Sequence, residues 1–206
     1  ECSKLIICLR RVRSSQEAFV LLKMKVKIIS DEIYSLSGVL SIDNFNKIVD
    51  EFNYNPWIFN KKESYEENNY PLCGTLQKID YGQNIGDNLI LINTGSILKF
   101  NVENILQKNI ELKRINTNIQ FFGQHSSFHE DGSNGSWTLV LFCSHHWNTS
   151  WGGEFVVQNT DSDYSYVPYI PNNGVLIPGQ LQHTGMPPNR LCSVPRLSIA
   201  FTYQEV

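Results

Sequence analysis

The sequence predicts a mainly β chain with flanking helices, an α+β arrangement whose second half is an antiparallel sandwich or jelly roll. Two observations carry that reading. From about residue 112, short β-rich runs alternate with turns, the spacing of antiparallel all-β architectures. Ahead of that point, two apolar patterns repeat at helical period instead.

Val26 to Ile29 reads as a short strand. Phe45, Ile48, Val49 and Phe52 then follow helical spacing, with Ser41 or Asp43 available as a cap. That helix should stop before Asn55-Pro56, because proline disfavours helix in the residue preceding it. Residues 60–71 are polar and acidic, which suits a loop. Their length and Tyr65 and Tyr70 make them a candidate flap over a cleft, with a solvated connector as the alternative. A second helix is expected over Ile97 to Ile110, from Leu98, Val102, Ile105 and Leu106. The β-rich runs are Arg114–Phe122, Trp137–Cys143, Glu154–Gln158, Tyr164–Ile170, Gly174–Ile177 and Arg196–Tyr203. Asp131-Gly, Asn134-Gly, Gly152-Gly, Pro178-Gly and Pro187-Pro-Asn punctuate them.

Composition narrows the function. A chain of 206 residues with 41% apolar and 12% aromatic residues can bury a sizeable core. A formal charge of −3 lacks the basic footprint of a nucleic-acid binder, so no such partner is expected. No apolar run approaches the roughly 20 residues of a membrane span. The cysteines, Cys2, Cys8, Cys73, Cys143 and Cys192, are odd in number and lack a C-x-x-C pair. They read as free thiols in a reducing, cytoplasmic compartment. Residues 1–23 look foreign to the rest: the first 27 residues hold seven Lys or Arg against two Glu, and Met24 opens a segment that reads like a start. We expect an added extension there, with an ordinary basic arm as the alternative. Residues 24–206 then form one domain, helical support over 24–111 and a jelly-roll core over 112–206.

His129-Glu-Asp131 carries the first chemical signal. In extended chain His129 and Asp131 share a face and Glu130 points away. His183, 54 positions later and just past Gly174-Val-Leu-Ile-Pro-Gly, is the best candidate for a third ligand. Two histidines and one carboxylate leave open positions on an octahedral metal, the pattern of non-haem iron sites. The other histidines fit less well. His145 and His146 are adjacent and would point oppositely on a strand. His125, four residues before His129, lies over about 10 Å away in extended chain.

Arg196-Leu-Ser198 carries the second signal. On an alternating strand Leu197, Ile199, Phe201 and Tyr203 make one apolar face, while Arg196, Ser198, Ala200 and Thr202 make the other. An arginine and a serine two apart offer a carboxylate a bidentate charged pair and a further hydrogen bond. Arg190, in the turn Pro187-Pro-Asn-Arg, is the rival anion ligand, less rigidly placed.

In this order and spacing the set resembles the Fe(II)/2-oxoglutarate dioxygenase superfamily, and within it the prolyl 4-hydroxylase-like group, over roughly residues 112–205. His129-x-Asp131 with His183 is similar to the family's iron triad. Arg196-x-Ser198 is similar to its R-x-S motif for the distal carboxylate of 2-oxoglutarate. Gly123-Gln124 and Trp151-Gly-Gly-Glu-Phe155 stand where prolyl hydroxylases carry similar segments. The resemblance implies a double-stranded β-helix core, Fe(II), 2-oxoglutarate and O2 as cofactor and cosubstrates, and ascorbate as a candidate addition. It implies hydroxylation of a peptide or small-molecule substrate, a prolyl residue being one candidate. Gln120 occupies the position of a cosubstrate-binding Tyr; its amide can donate to a carboxylate too. Glu154 and Trp151 are candidates for the substrate side or for a buried structural role.

Two other readings keep the same fold. A cupin-like or lectin-like binding module could hold a divalent ion but has no use for Arg196-x-Ser198 on an inner face. A metal-dependent isomerase or hydrolase would bind metal without consuming O2.

Overall fold

Residues 24–30, 32–61, 73–76 and 88–206 are described by the computed structural model. The first half contains β1 (Lys25–Ser30), β2 (Ile33–Ser37), α1 (Ile42–Tyr54), β3 (Trp57–Lys61), β4 (Cys73–Leu76) and α2 (Leu89–Leu106). The second half contains β5 (Ile110–Gln120), β6 (Ser136–Phe142), β7 (Phe155–Thr160), β8 (Asp163–Val167), β9 (Asn173–Pro178), β10 (His183–Gly185) and β11 (Arg196–Glu205). The larger sheet runs β1-β2-β9-β6-β11-β5-β4-β3 and the smaller β10-β7-β8. All pairings are antiparallel, and the arrangement is a jelly roll with two helices.

The larger sheet is buried on both faces, and each face has its own core. Helix-side contacts join Phe45, Ile48 and Phe52 of α1 and Leu91, Leu98 and Val102 of α2 to Leu197, Ile199, Phe201 and Tyr203 of β11. The opposite face joins Val140, Val175, Ile177 and Ala200 to Phe155, Val157 and Val167 of the smaller sheet. Each large side chain so buried contributes about 1.5–3 kcal/mol. The alternation of β11 therefore divides the molecule: its odd-numbered residues hold the helices, and its even-numbered residues face the space between the sheets.

Local chemistry fixes the helices. Ser41 Oγ accepts from Asn44 N–H at 3.2 Å, and α1 ends ahead of Pro56 as its sequence requires. For α2 the structure departs from expectation: it begins at Leu89 and ends at Leu106, and Ile110 already belongs to β5. Leu89 to Ile92 is apolar without period, so its helical character is hidden, whereas Asn88 caps the helix by accepting from Ile90 and Leu91 N–H, both at 3.1 Å. Asn88 Nδ2 also donates to Glu51 Oε2 at 2.7 Å, tying α2 to α1. Asn88→Ala should destabilise the fold by about 1–2 kcal/mol, read as a lower urea midpoint with an unchanged slope. Gly95 lets α2 lie close against the sheet, because a Cβ there would meet Leu112 at 2.7 Å and Phe201 at 3.0 Å.

The first half supplies more than helical support, since β1 to β4 extend the larger sheet at both edges. Residues 1–23 lie outside the described residues, as does the expected flap over 60–71 apart from Asn60 and Lys61, which end β3. Among the described residues no helix is long and apolar enough to cross a membrane. Cys143 and Cys192 are free thiols.

Candidate active site

The site lies in a cavity of about 250 Å³ between the sheets. Two facing strands build one wall, rung by rung. Arg196 pairs with Gln120, Ser198 with Asn118, Ala200 with Asn116 and Thr202 with Arg114. Directly opposed residues share a face, so β5 lines the cavity with Arg114, Asn116, Asn118 and Gln120 beside Arg196, Ser198 and Ala200 of β11. Phe155 of β7 and Val140 of β6 add apolar wall.

His129, Asp131 and His183 meet at one side, with one ligand atom from each lying within 4.8 Å of the others. His129-x-Asp131 lies between named strands. A single bridge carries it: His129 N–H donates to His183 O at 3.1 Å and His183 N–H returns to His129 O at 3.0 Å. Asp131 N–H then donates to Gly179 O at 2.8 Å, which turns the carboxylate inward, while exposed Glu130 accepts from Gln182 Nε2 at 3.0 Å. Both imidazoles are oriented from behind: Nδ1 of His129 is 3.0 Å from Ser127 O, and Nδ1 of His183 is 2.8 Å from Leu181 O. A carbonyl partner makes Nδ1 the protonated nitrogen and leaves the Nε2 lone pair for a cation. His183 Nε2 stands 3.4 Å from Asp131 Oδ2. A lone pair and a carboxylate oxygen so placed repel one another unless a proton or metal ion lies between them, and two imidazoles with one carboxylate are a donor set that suits Fe(II).

With both imidazoles protonated, burial pushes the Asp131 carboxyl up, but hydrogen bonding and charge from His183, then the charges of Arg114 and His129, outweigh it and hold the group well below the usual carboxylate range. Arg114 Nη2 donates to Asp131 Oδ1 at 2.8 Å and to Asp131 O at 2.9 Å. One carboxylate oxygen is thereby held by protein and the other left to the cation. The Phe155 ring stacks on His183 with centroids 5.2 Å apart.

Arg196 marks the other side. Its side chain is buried, donating from Nε to Gly153 O at 2.9 Å and from Nη1 to Gln120 Oε1 at 2.9 Å and Ser198 Oγ at 3.3 Å. The guanidinium lies 4.9 Å from the centre of the Tyr169 ring. Burial pushes the Tyr169 phenol up to about 12, so it stays neutral. Its hydroxyl contacts Ser144 Oγ at 2.7 Å and accepts from Leu197 N–H at 3.2 Å, which fixes the start of β11. Gln120 spends its amide hydrogens on Gly185 O at 3.1 Å and Gln124 O at 3.4 Å. Its carbonyl accepts from Arg196. A Cβ on Gly185 would meet both Arg196 terminal nitrogens at 3.0 Å. Gly185→Ala should therefore displace Arg196 at a cost of about 1–3 kcal/mol, seen as weaker anion binding by calorimetry with the metal site unchanged.

The structure thus brings His129, Asp131, His183, Gln120, Arg196 and Ser198 to one cavity. It leaves His125, His145, His146 and Arg190 exposed and outside it. Glu154 and Trp151 are half-buried and do not line it, and Trp151 packs edge-on against Trp147. Sequence reasoning missed Arg114, Gly185 and Tyr169. Arg114 had a signal, since 114, 116, 118 and 120 share a face by alternation. Gly185 and Tyr169 act through long-range contacts that no local pattern encodes.

No family model matches the chain, and neither does any curated protein. Solved structures do. A prolyl hydroxylase from Trichoplax adhaerens, in complex with a hypoxia inducible factor peptide, is 12% identical with a TM-score of 0.63, over 85% of this chain and 84% of that one. A 2OG-Fe(II) oxygenase family oxidoreductase from Burkholderia pseudomallei is 11% identical with a TM-score of 0.66, over 85% and 86%. HygX from Streptomyces hygroscopicus, with nickel and 2-oxoglutarate bound, is 12% identical with a TM-score of 0.59, over 84% and 82%. The chain has the fold of the 2OG-Fe(II) oxygenases. Prolyl hydroxylases are among the proteins that share that fold.

Proposed function

We propose that the chain is an Fe(II)- and 2-oxoglutarate-dependent oxygenase that hydroxylates its substrate. In this reading His129, Asp131 and His183 hold the iron, and Arg196 with Ser198 anchors the distal carboxylate of 2-oxoglutarate. The observation that carries it is one cavity holding both a two-histidine, one-carboxylate cluster and a buried arginine beside a serine. Iron with 2-oxoglutarate and O2 supplies the oxidising chemistry when bound there.

The chain's own residues orient and shield. Ser127 and Leu181 carbonyls fix the imidazole tautomers, and Arg114 holds one oxygen of Asp131. Gln120 and Gly153 aim Arg196 from behind. Val140, Phe155 and Ala200 exclude water along the wall, which strengthens the charged contacts inside. Residues 24–206 act as one catalytic unit in the cytoplasm. A peptide, a prolyl residue first among its targets, is supported by the peptide held by the Trichoplax neighbour; a small molecule is the second candidate, and ascorbate an accessory.

Conversion of 2-oxoglutarate to succinate tests this reading. Turnover should require Fe(II) and O2 and stop in Asp131→Ala. Metal retained without succinate or O2 uptake would favour a cupin-like binding module or a metal-dependent isomerase or hydrolase instead.

A further inference from the structure

The cavity has two cationic poles, and the proposed function uses one. Arg114 and Gln120 lie six residues apart on β5, about 20 Å along the strand at roughly 3.3 Å per residue. Arg196 is paired with Gln120 at one end, and Thr202 with Arg114 at the other. A cosubstrate reaching from the histidine and aspartate cluster to Arg196 leaves the Arg114 end for whatever is oxidised.

Arg114 is only partly engaged. All its hydrogen bonds within the described residues leave from Nη2, to Asp131 Oδ1, Asp131 O and Thr202 Oγ1. Its Nη1 makes no hydrogen bond among the described residues and, unlike the buried Nε, is not enclosed by protein. Bracing Asp131 needs one nitrogen and leaves the accessible Nη1 for an anion. Charge points the same way. Apart from exposed Glu130, whose charge water screens, the charged residues lining the cavity are Arg114, Arg196 and Asp131. A divalent metal and a dianionic cosubstrate cancel, which leaves one positive charge in excess. The half-buried Asn116 amide sits on the next cavity-facing rung from Arg114.

From this we infer that Arg114 is the substrate's anion site and that the substrate is an acid, presenting one carboxylate to the Arg114 end of the cavity. The inference rests on the proposed function and narrows it, because a neutral substrate would leave both the open Nη1 and the excess charge without an anionic partner.

The test uses the full chain loaded anaerobically with Mn(II) and 2-oxoglutarate, titrated with free L-amino acids and with their amides as matched probes. Binding is read by calorimetry and by the shift in melting temperature. At least one acid should bind, and its amide should bind about 10- to 100-fold more weakly, the difference made by a charge-assisted hydrogen bond. Arg114→Gln should erase that preference, and Arg114→Lys should keep part of it. Equal binding of acid and amide, or a preference that survives Arg114→Gln, overturns the inference. If Arg114→Gln loses Mn(II), Arg114→Lys and Asn116→Ala decide: an acid preference reduced in both supports the site, and one unchanged in either overturns it. Wild-type protein that binds neither Mn(II) nor 2-oxoglutarate overturns the underlying function, an outcome distinct from intact cosubstrate binding without acid preference.

Discussion

Arg196→Ala should lower the affinity for 2-oxoglutarate by roughly two to four decades while the metal stays bound. Removing one side of a buried charged pair costs about 3–5 kcal/mol, at about 1.4 kcal/mol per decade. The variant also strands Gln120 Oε1 and Gly153 O, both acceptors of Arg196 hydrogen bonds, so some loss of fold stability accompanies it. Arg196→Lys separates the two effects. It keeps the charge but cannot reproduce a planar fork serving Gly153, Gln120 and a carboxylate together, and it should still bind 2-oxoglutarate poorly. Ser198→Ala loses one hydrogen bond to a charged group and should cost about 1.5–3 kcal/mol. Arg190→Ala, exposed and outside the cavity, should leave binding unchanged. Calorimetry on Mn(II)-loaded protein reads all four, and a severe Arg190→Ala with a mild Arg196→Ala would move the anion site to another element.

His183→Ala should weaken metal binding by more than about 100-fold, beyond the 10- to 100-fold typical of losing a supporting group behind a ligand. Its backbone bridge to His129 needs no side chain, so the fold should persist. The imidazole is buried against Phe155 and faces Asp131 at 3.4 Å, which leaves no neighbouring histidine able to replace it among the described residues. Metal stoichiometry after gel filtration, with circular dichroism as the control for folding, checks the prediction. One tightly held metal per variant chain would remove His183 from the ligand set.

The two largest effects fall on residues the sequence made legible, for a physical reason. Along β11 an unbroken apolar alternation at 197, 199, 201 and 203 forces Arg196 and Ser198 to the other face, and that face opens on the cavity. The common face of His129 and Asp131 was also legible, although a bridge and a turn produce it rather than a strand. Period failed where segments are short or uniformly apolar. β10 has three residues and exists through pairing with β7, and the start of α2 is a run of Leu and Ile whose helical state is set by the Asn88 cap. What holds Arg196 was illegible, because Gln120 and Gly153 reach it across 76 and 43 positions of chain. Gln120 thus reads, in sequence, as a direct ligand contact. In the fold it is a brace for the arginine.

Calorimetric titration of 2-oxoglutarate into the full chain under anoxia, with and without one equivalent of Mn(II), bears most directly on the central claim. The account predicts one 2-oxoglutarate per chain in the presence of metal, binding that collapses when metal is withheld, and loss of that binding in Arg196→Ala. Binding of equal strength without metal, or none with it, would contradict the assignment of this cavity as an iron and 2-oxoglutarate site.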